Sequence, residues 1–158
     1  LGLPYLRVTR QEWTPKHNED WINVDSVEDA VASVRHGARV FLATGWGSVH
    51  AFQDRADVYL MCRQLEQHGH AFPLENGRYI FGEGPFSVTA EMQTLQFLKA
   101  DYLILRNSGS VQGRSKVDAA GNLGVKVIMI QKSDMGLSQS QTATFVDVAK
   151  LVADYADH

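Results

Sequence analysis

Only one cysteine, Cys62, stands in the 158 residues, which excludes an intramolecular disulfide framework and any cysteine-rich zinc site. A dominant charge is lacking too. Lys and Arg number 15 against 18 Asp and Glu, a net charge of −3, so the surface as a whole is not that of a basic nucleic-acid binder. Long hydrophobic runs are missing: stretches such as Tyr102–Leu105 and Val127–Ile130 fall far short of the roughly 18 residues that a membrane helix needs. His17, His36, His50, His68, His70 and His158 form no i, i+4 ligand pair, and His68 and His70 flank a glycine in a polar stretch, so no metal is expected. There is no Walker loop and no G-x-S-x-G elbow. No basic-then-apolar leader opens the chain, which makes a reducing, cytoplasmic setting the expectation. Leu1 leads directly into a strand pattern, as expected of a piece cut from a longer polypeptide.

What is present is an alternation of short β-rich runs with helix-period runs. Leu3–Val8, Trp21–Val24, Arg39–Ala43, Asp57–Cys62, Arg78–Phe81, Tyr102–Leu105 and Val125–Ile130 read as strands. Arg39–Ala43 is apolar almost throughout, as in a strand covered on both faces. Ser26 with Asp29 forms a capping box ahead of Val27, Ala30, Val31 and Val34, one apolar helical face that Gly37 is placed to end. Ser87 caps a helix carrying Val88, Met92, Leu95 and Leu98, and a further helix is expected from about Arg114 to Leu123, stopped by Gly124. Gln64–Asn76 and Asp134–Thr142 read as loops, and Thr144 with Asp147 as a second capping box before Phe145, Val148, Ala149 and Val152. The fold class that follows is α/β: a Rossmann-like, open, mainly parallel sheet with helices on both faces.

Ligands of such sheets gather at the carboxyl ends of the strands. Three segments occupy such ends. In Thr44-Gly45-Trp46-Gly47-Ser48, two glycines let backbone approach a ligand while Thr44 and Ser48 offer hydroxyl donors; the same turn also reads as a plain strand-to-helix connection. It is not a full G-x-G-x-x-G, because His50 holds the last position. Gly82-Glu83-Gly84-Pro85-Phe86-Ser87 reads mainly as a structural turn. Arg106-Asn107-Ser108-Gly109-Ser110, followed by Gln112, Arg114 and Lys116, combines cations with neutral donors at a helix entry, and Arg106 is suited to grip a carboxylate bidentately. Cys62, in an apolar strand, reads as a small core residue.

These residues carry a resemblance. Leu3-Pro4-Tyr5-Leu6-Arg7-Val8 with Trp13, Trp21 and Val24-Asp25-Ser26, then Val40-Phe41-Leu42-Ala43-Thr44-Gly45, Gly84-Pro85-Phe86, Glu91, Arg106-Asn107-Ser108-Gly109, Lys116, Ala119-Ala120 and Leu123-Gly124-Val125 resemble the precorrin-6A (cobalt-precorrin-6A) reductases in order and spacing. The agreement covers about residues 3–132. Two positions depart from the family pattern: Arg106 stands where Lys is frequent, keeping charge but changing donor geometry, and Trp46 stands where Arg is frequent.

The resemblance implies an oxidoreductase of cobalamin (porphyrin-type) biosynthesis that takes hydride from NADPH and reduces one double bond of precorrin-6A or its cobalt form. It implies two Rossmann-like lobes with the reaction between them. Residues 1–25 would then be a crossover segment and 26–158 the C-terminal lobe, the N-terminal lobe being absent. Thr44, Gly45, Gly47 and Ser48 are the candidates to hold the cofactor. Arg106, Asn107, Ser108, Gly109, Arg114 and Lys116 are the candidates for the substrate's carboxylates. No residue identifies itself as the proton donor, so the catalytic group stays unknown, and no nucleic-acid or membrane partner is expected. A non-catalytic module binding a nucleotide or anionic metabolite, and a uroporphyrinogen-synthase-like lyase, remain as alternatives.

Overall fold

The computed structural model describes residues 7–132 and 142–144. Strands β1 (Arg7–Thr9) and β8 (Thr142–Thr144) pair with each other in parallel as a separate two-stranded sheet. The main sheet is built from β2 (Trp21–Val24), β3 (Arg39–Leu42), β4 (Tyr59–Gln64), β5 (Gly77–Phe81), β6 (Tyr102–Arg106) and β7 (Lys126–Ile130). Its order is β2-β7-β6-β3-β4-β5, and every pairing is parallel. Trp21–Val24, which the sequence division assigns to the crossover segment, is thus the edge strand of this sheet. The Leu3–Val8 strand is described only from Arg7 onward, and the Thr144–Asp147 capping box and the residues behind it lie outside the described residues apart from Thr144, which is in β8.

The period-two alternation of a strand sorts the apolar residues into two cores. Val40, Leu42, Leu60, Cys62, Ile104 and Ile128 face one side and pack beneath helix α1 (Val27–Ala32) and the 3₁₀ turn Trp46–Phe52. Phe41, Met61, Leu103, Leu105, Val127 and Met129 face the other, under α2 (Val88–Leu98) and α3 (Val111–Leu123). Continuous apolar strands are what such double coverage requires.

Ser26, Ser87 and Ser110 cap the three helices by accepting from the amides of Asp29, Ala90 and Gly113. The strand expected over Asp57–Cys62 runs instead from Tyr59 to Gln64, which places Arg63, and Gln64 from the expected loop, in the sheet. Two helix boundaries also differ from the sequence reading. Helix α1 stops at Ser33, whose hydroxyl donates to the Asp29 carbonyl at 2.8 Å, a local bond that competes with helix propagation; Gly37 lies in the next turn at φ 74°. Helix α3 begins at Val111, three residues before Arg114, because the Ser110 cap starts it ahead of the first strongly helix-favouring residues.

Candidate ligand site at the carboxyl edge of the sheet

Neighbouring strands β3 and β6 mark the point where the chain reverses direction across the sheet: β4 and β5 extend one way, β6 and β7 the other. That reversal opens a crevice at the carboxyl ends of the two strands. Leu42 is in register with Ile104, and the Ala43 amide donates to the Ile104 carbonyl at 2.8 Å. The turns that follow, Thr44–Ser48 and Arg106–Ser110, therefore leave the sheet side by side.

Gly45 in the first turn has φ 92° and ψ 164°, a conformation in which a Cβ is strained. Among the described residues, chain neighbours aside, no atom lies within 4 Å of where a Cβ would stand on Gly45 or Gly47, so both flank open space. The Thr44 hydroxyl is buried and has no hydrogen-bond partner among the described residues. Ser48 is buried and its amide donates to the Gly45 carbonyl. Trp46 projects from this turn, 62% exposed, and walls a cavity of about 450 Å³ with Gln64, Glu66, His68, His70 and Tyr79.

The second turn is divided in its loyalties. Arg106 is exposed and forms no ion pair among the described residues. Ser108 is exposed, and its hydroxyl is 3.1 Å from that of Ser110. Asn107, by contrast, is buried: its Oδ1 accepts from the Trp13 amide and its Nδ2 donates to the Trp13 carbonyl. Gly109, at φ 65°, lets the carbonyl of Gln11 come so close that a Cβ would collide with it. Arg114 donates to Glu19 at 2.6 Å, to Asp118 at 3.1 Å and to the Thr14 carbonyl at 3.2 Å. Asn107, Gly109 and Arg114 thus seat residues 11–19 along α3, and the side-chain donors of Asn107 and Arg114 are already engaged within the protein. Asp118 feels opposing effects. Burial raises its carboxyl, but hydrogen bonds from Lys16 and Arg114 outweigh that and hold it below the usual range.

Two further cavities flank the start of α3. One of about 440 Å³ lies among Arg10, Gln11, Gly109 and Ser110; the other, of about 380 Å³, lies among Gly84, Phe86, Gln112 and Lys116. Gln112 borders both. Lys116 is half-withdrawn from solvent, with its Nζ 3.5 Å from Glu91 Oε1 and 5.7 Å from the centre of the Phe86 ring.

Residues 1–155 match the family model described as precorrin-6x reductase CbiJ/CobK. The chain belongs to this family. A precorrin-6A reductase of Rhodococcus erythropolis is 31% identical over 153 residues, which is 96% of this chain and 60% of that protein. One of Mycobacterium tuberculosis (strain CDC 1551 / Oshkosh) is 34% identical over 133 residues, 84% of this chain and 53% of that protein. The solved structure of CobK precorrin-6A reductase superposes with a TM-score of 0.83 at 26% identity, covering 94% of this chain and 59% of that one. The chain therefore spans a little over half the length of the precorrin-6x reductase relatives it matches.

In this member of the precorrin-6x reductase family, two charged residues at the site lie outside the set read from the sequence as ligand-binding. Arg63 and Glu91 pair at 3.1 Å with side-chain exposures of 6% and 0%. Burial lowers the Arg63 pKa and the Glu91 charge opposes that fall. An Arg on the core-facing register of an otherwise apolar strand, two residues after Met61, is the sequence signal for this pair. Glu91, in the first turn of α2, carries no such signal, since an acid there is ordinarily favoured by the helix dipole.

Proposed function

We propose that this chain is the C-terminal lobe of a cytoplasmic, NADPH-dependent precorrin-6A reductase, which reduces one carbon–carbon double bond of a carboxylated tetrapyrrole, cobalt-free or cobalt-bearing, in cobalamin biosynthesis. The observation that carries this reading is the adjacency of the Thr44 and Asn107 turns at the point of chain reversal, with Arg106, which forms no ion pair among the described residues, beside them, in a chain of the precorrin-6x reductase family. In this reading the lobe runs from the edge strand Trp21–Val24 onward, and the residues before it are the crossover.

The first turn fits a nucleotide. Among the described residues its buried Thr44 hydroxyl lacks a partner and the backbone at Gly45 and Gly47 is open, a combination suited to phosphate oxygens. Thr44, Gly45 and Gly47 would hold NADPH there, and Ser48 would support the turn from beneath. Bound NADPH supplies the hydride. The second turn suits the substrate. Arg106 and Lys116 offer charge to carboxylates, Ser108 and the Gly109 amide offer neutral donors, and Asn107 and Arg114 fix the segment that backs them. Holding the macrocycle by several carboxylates fixes its face relative to the nicotinamide, which is the positioning that hydride transfer requires.

The test mixes the full-length parent protein with precorrin-6A and follows NADPH absorbance. Macrocycle-dependent oxidation is expected. Arg106→Ala and Lys116→Ala should each raise KM by about tenfold or more, the loss of one charge-assisted contact. Binding of both ligands without turnover would replace the reductase with a non-catalytic binding module. Unchanged KM in both variants would remove these residues from the site.

A further inference from the structure

The cluster at the joint of β4, α2 and α3 holds two cations and one carboxylate. Arg63 follows Met61 on the face of β4 covered by α2 and α3, at the carboxyl end where the sheet edge begins. Its guanidinium lies 4.2 Å from the centre of the Phe86 ring and 5.2 Å from that of Phe41, and Nη2 donates to Glu91 Oε2 at 3.1 Å. Lys116 reaches the other oxygen of the same carboxylate. Among the described residues, no second carboxylate lies within 4.0 Å of either cation. The cluster therefore carries one positive charge in excess. Glu91 is wholly buried and Arg63 nearly so, while Lys116 alone borders the cavity of about 380 Å³ formed with Gly84, Phe86 and Gln112.

An uncompensated cation beside a low-dielectric cluster is unfavourable unless an anion comes to it. Among the described residues Glu91 Oε1 and Arg63 Nε are buried without a hydrogen bond of good geometry, so the described residues do not close this network on themselves. A lysine left to swing in solvent would lose rotamer entropy on meeting a ligand. Here its ammonium is held between the Glu91 carboxylate and the Phe86 ring before any ligand arrives, and such preorganisation favours binding.

We propose that this cavity is a subsite for one ligand carboxylate, in which Lys116 makes the contact and the buried Arg63–Glu91 pair is a positioning element that holds the ammonium at the cavity wall. The subsite rests on the proposed function only for the identity of its ligand, one acidic side chain of a tetrapyrrole. The pocket's chemistry, a single ammonium over an aromatic face with Gln112 and Gly113 in the lining, selects an isolated carboxylate.

The experiment titrates the 158-residue chain with tricarballylate, a flexible tricarboxylate, and reads the amide resonances of Phe86, Gln112 and Gly113. A saturable shift at these three amides is expected, weakened at least about tenfold in Lys116→Met. Glu91→Gln carries the discriminating sign. It makes the cluster more positive, so if charge alone governed binding the affinity would rise; if Glu91 positions Lys116, the affinity falls about fivefold despite the added charge. Should Glu91→Gln fail to fold, Arg63→Met/Glu91→Met removes both buried charges together, and the same fall is expected. A merely structural pair would lower the melting temperature and leave tricarballylate affinity unchanged well below it. No shift at the three amides, or affinity that rises or stays constant in the Glu91 variants, overturns the subsite. Uroporphyrin, an octacarboxylate tetrapyrrole, is titrated separately: tricarballylate binding without uroporphyrin binding would overturn the tetrapyrrole reading and leave the carboxylate subsite standing.

Discussion

Asn107 and Trp13 close a ring of two hydrogen bonds across 94 positions of sequence: the Trp13 amide donates to Asn107 Oδ1 at 2.8 Å, and Asn107 Nδ2 donates to the Trp13 carbonyl at 3.0 Å. The asparagine sits where β6 ends, beside the chain reversal, and its own amide donates to the Ile130 carbonyl. The residue that begins the second turn is thus also the anchor of the segment crossing over α3. An amide side chain suits the task because it offers a donor and an acceptor in one plane, matching the backbone of an extended residue.

Replacing Asn107 with Ala leaves a backbone donor and acceptor of Trp13 without partners in a part-buried setting. The expected loss is about 2–3 kcal/mol, seen as a lower urea midpoint at unchanged slope. Asn107→Asp keeps the acceptor for the Trp13 amide but turns a second oxygen toward the Trp13 carbonyl, so it should be no more stable than the alanine variant. A loss below half a kcal/mol in both would show that the crossover segment is held elsewhere.

Gly109 and Gly124 share a left-handed backbone, at φ 65° and 69°, yet differ in what surrounds them. A Cβ on Gly109 would strike the Gln11 carbonyl, whereas one on Gly124 would meet nothing within 4 Å among the described residues. Gly124→Ala should therefore cost only the left-handed penalty, roughly 1–2 kcal/mol. Gly109→Ala should add a clash with backbone, worth a further 1–3 kcal/mol or so, and should shift the amide resonances of residues 10–13. Thermal melts of the two variants side by side give the difference directly.

Asp57 sets an acid limb on stability. Its carboxyl is held far below the usual carboxylate range, first by the hydrogen bonds from Arg55, against an opposing contribution from burial and with help from the Gly37 amide. Because the folded value is lower than the unfolded one, the stabilisation is complete above the unfolded pKa of about 4 and is lost as pH falls from there toward the folded value. Wild type minus Asp57→Asn should be a constant stability difference at neutral pH that shrinks in denaturant melts taken progressively below about pH 4. A difference independent of pH across that range would contradict the assignment.

Much of the fold was legible because its signals are local. The doubly covered strands Arg39–Leu42, Tyr102–Arg106 and Lys126–Ile130 announce themselves by uninterrupted apolar residues, and Ser26 and Ser87 by their caps. The start of α3 precedes the one expected from sequence, where Val111 and Gly113 carry weak helical preference; what holds Gly113 there is close packing of Trp13 against it, a tertiary effect. The candidate site divides the same way. Residue types in the two turns can be read directly, but that they stand side by side follows from the strand order, and that Asn107 and Arg114 face the crossover segment follows from partners roughly ninety residues or more distant. Arg63 and Glu91 meet across two elements, and no local pattern pairs them.

That buried pair has an asymmetry that stability measurements can expose. Glu91 serves two cations, Arg63 and Lys116, while Arg63 has only Glu91 as its carboxylate among the described residues. Removing Glu91 strands a buried guanidinium, with the ammonium also losing its partner; removing Arg63 leaves a buried carboxylate that Lys116 still faces. Glu91→Met should therefore be the more damaging single change, at about 3–5 kcal/mol, with Arg63→Met costing less. In the double variant both desolvation penalties vanish together, and apolar side chains of similar length can meet Phe41 and Phe86, so its stability should return close to wild type. The double-mutant cycle in urea checks this through its coupling energy. Additive losses would mean that the two charges do not sense one another, while a double variant near wild type in stability but weak in tricarballylate binding would separate the pair's role at the cavity from any role in holding the fold.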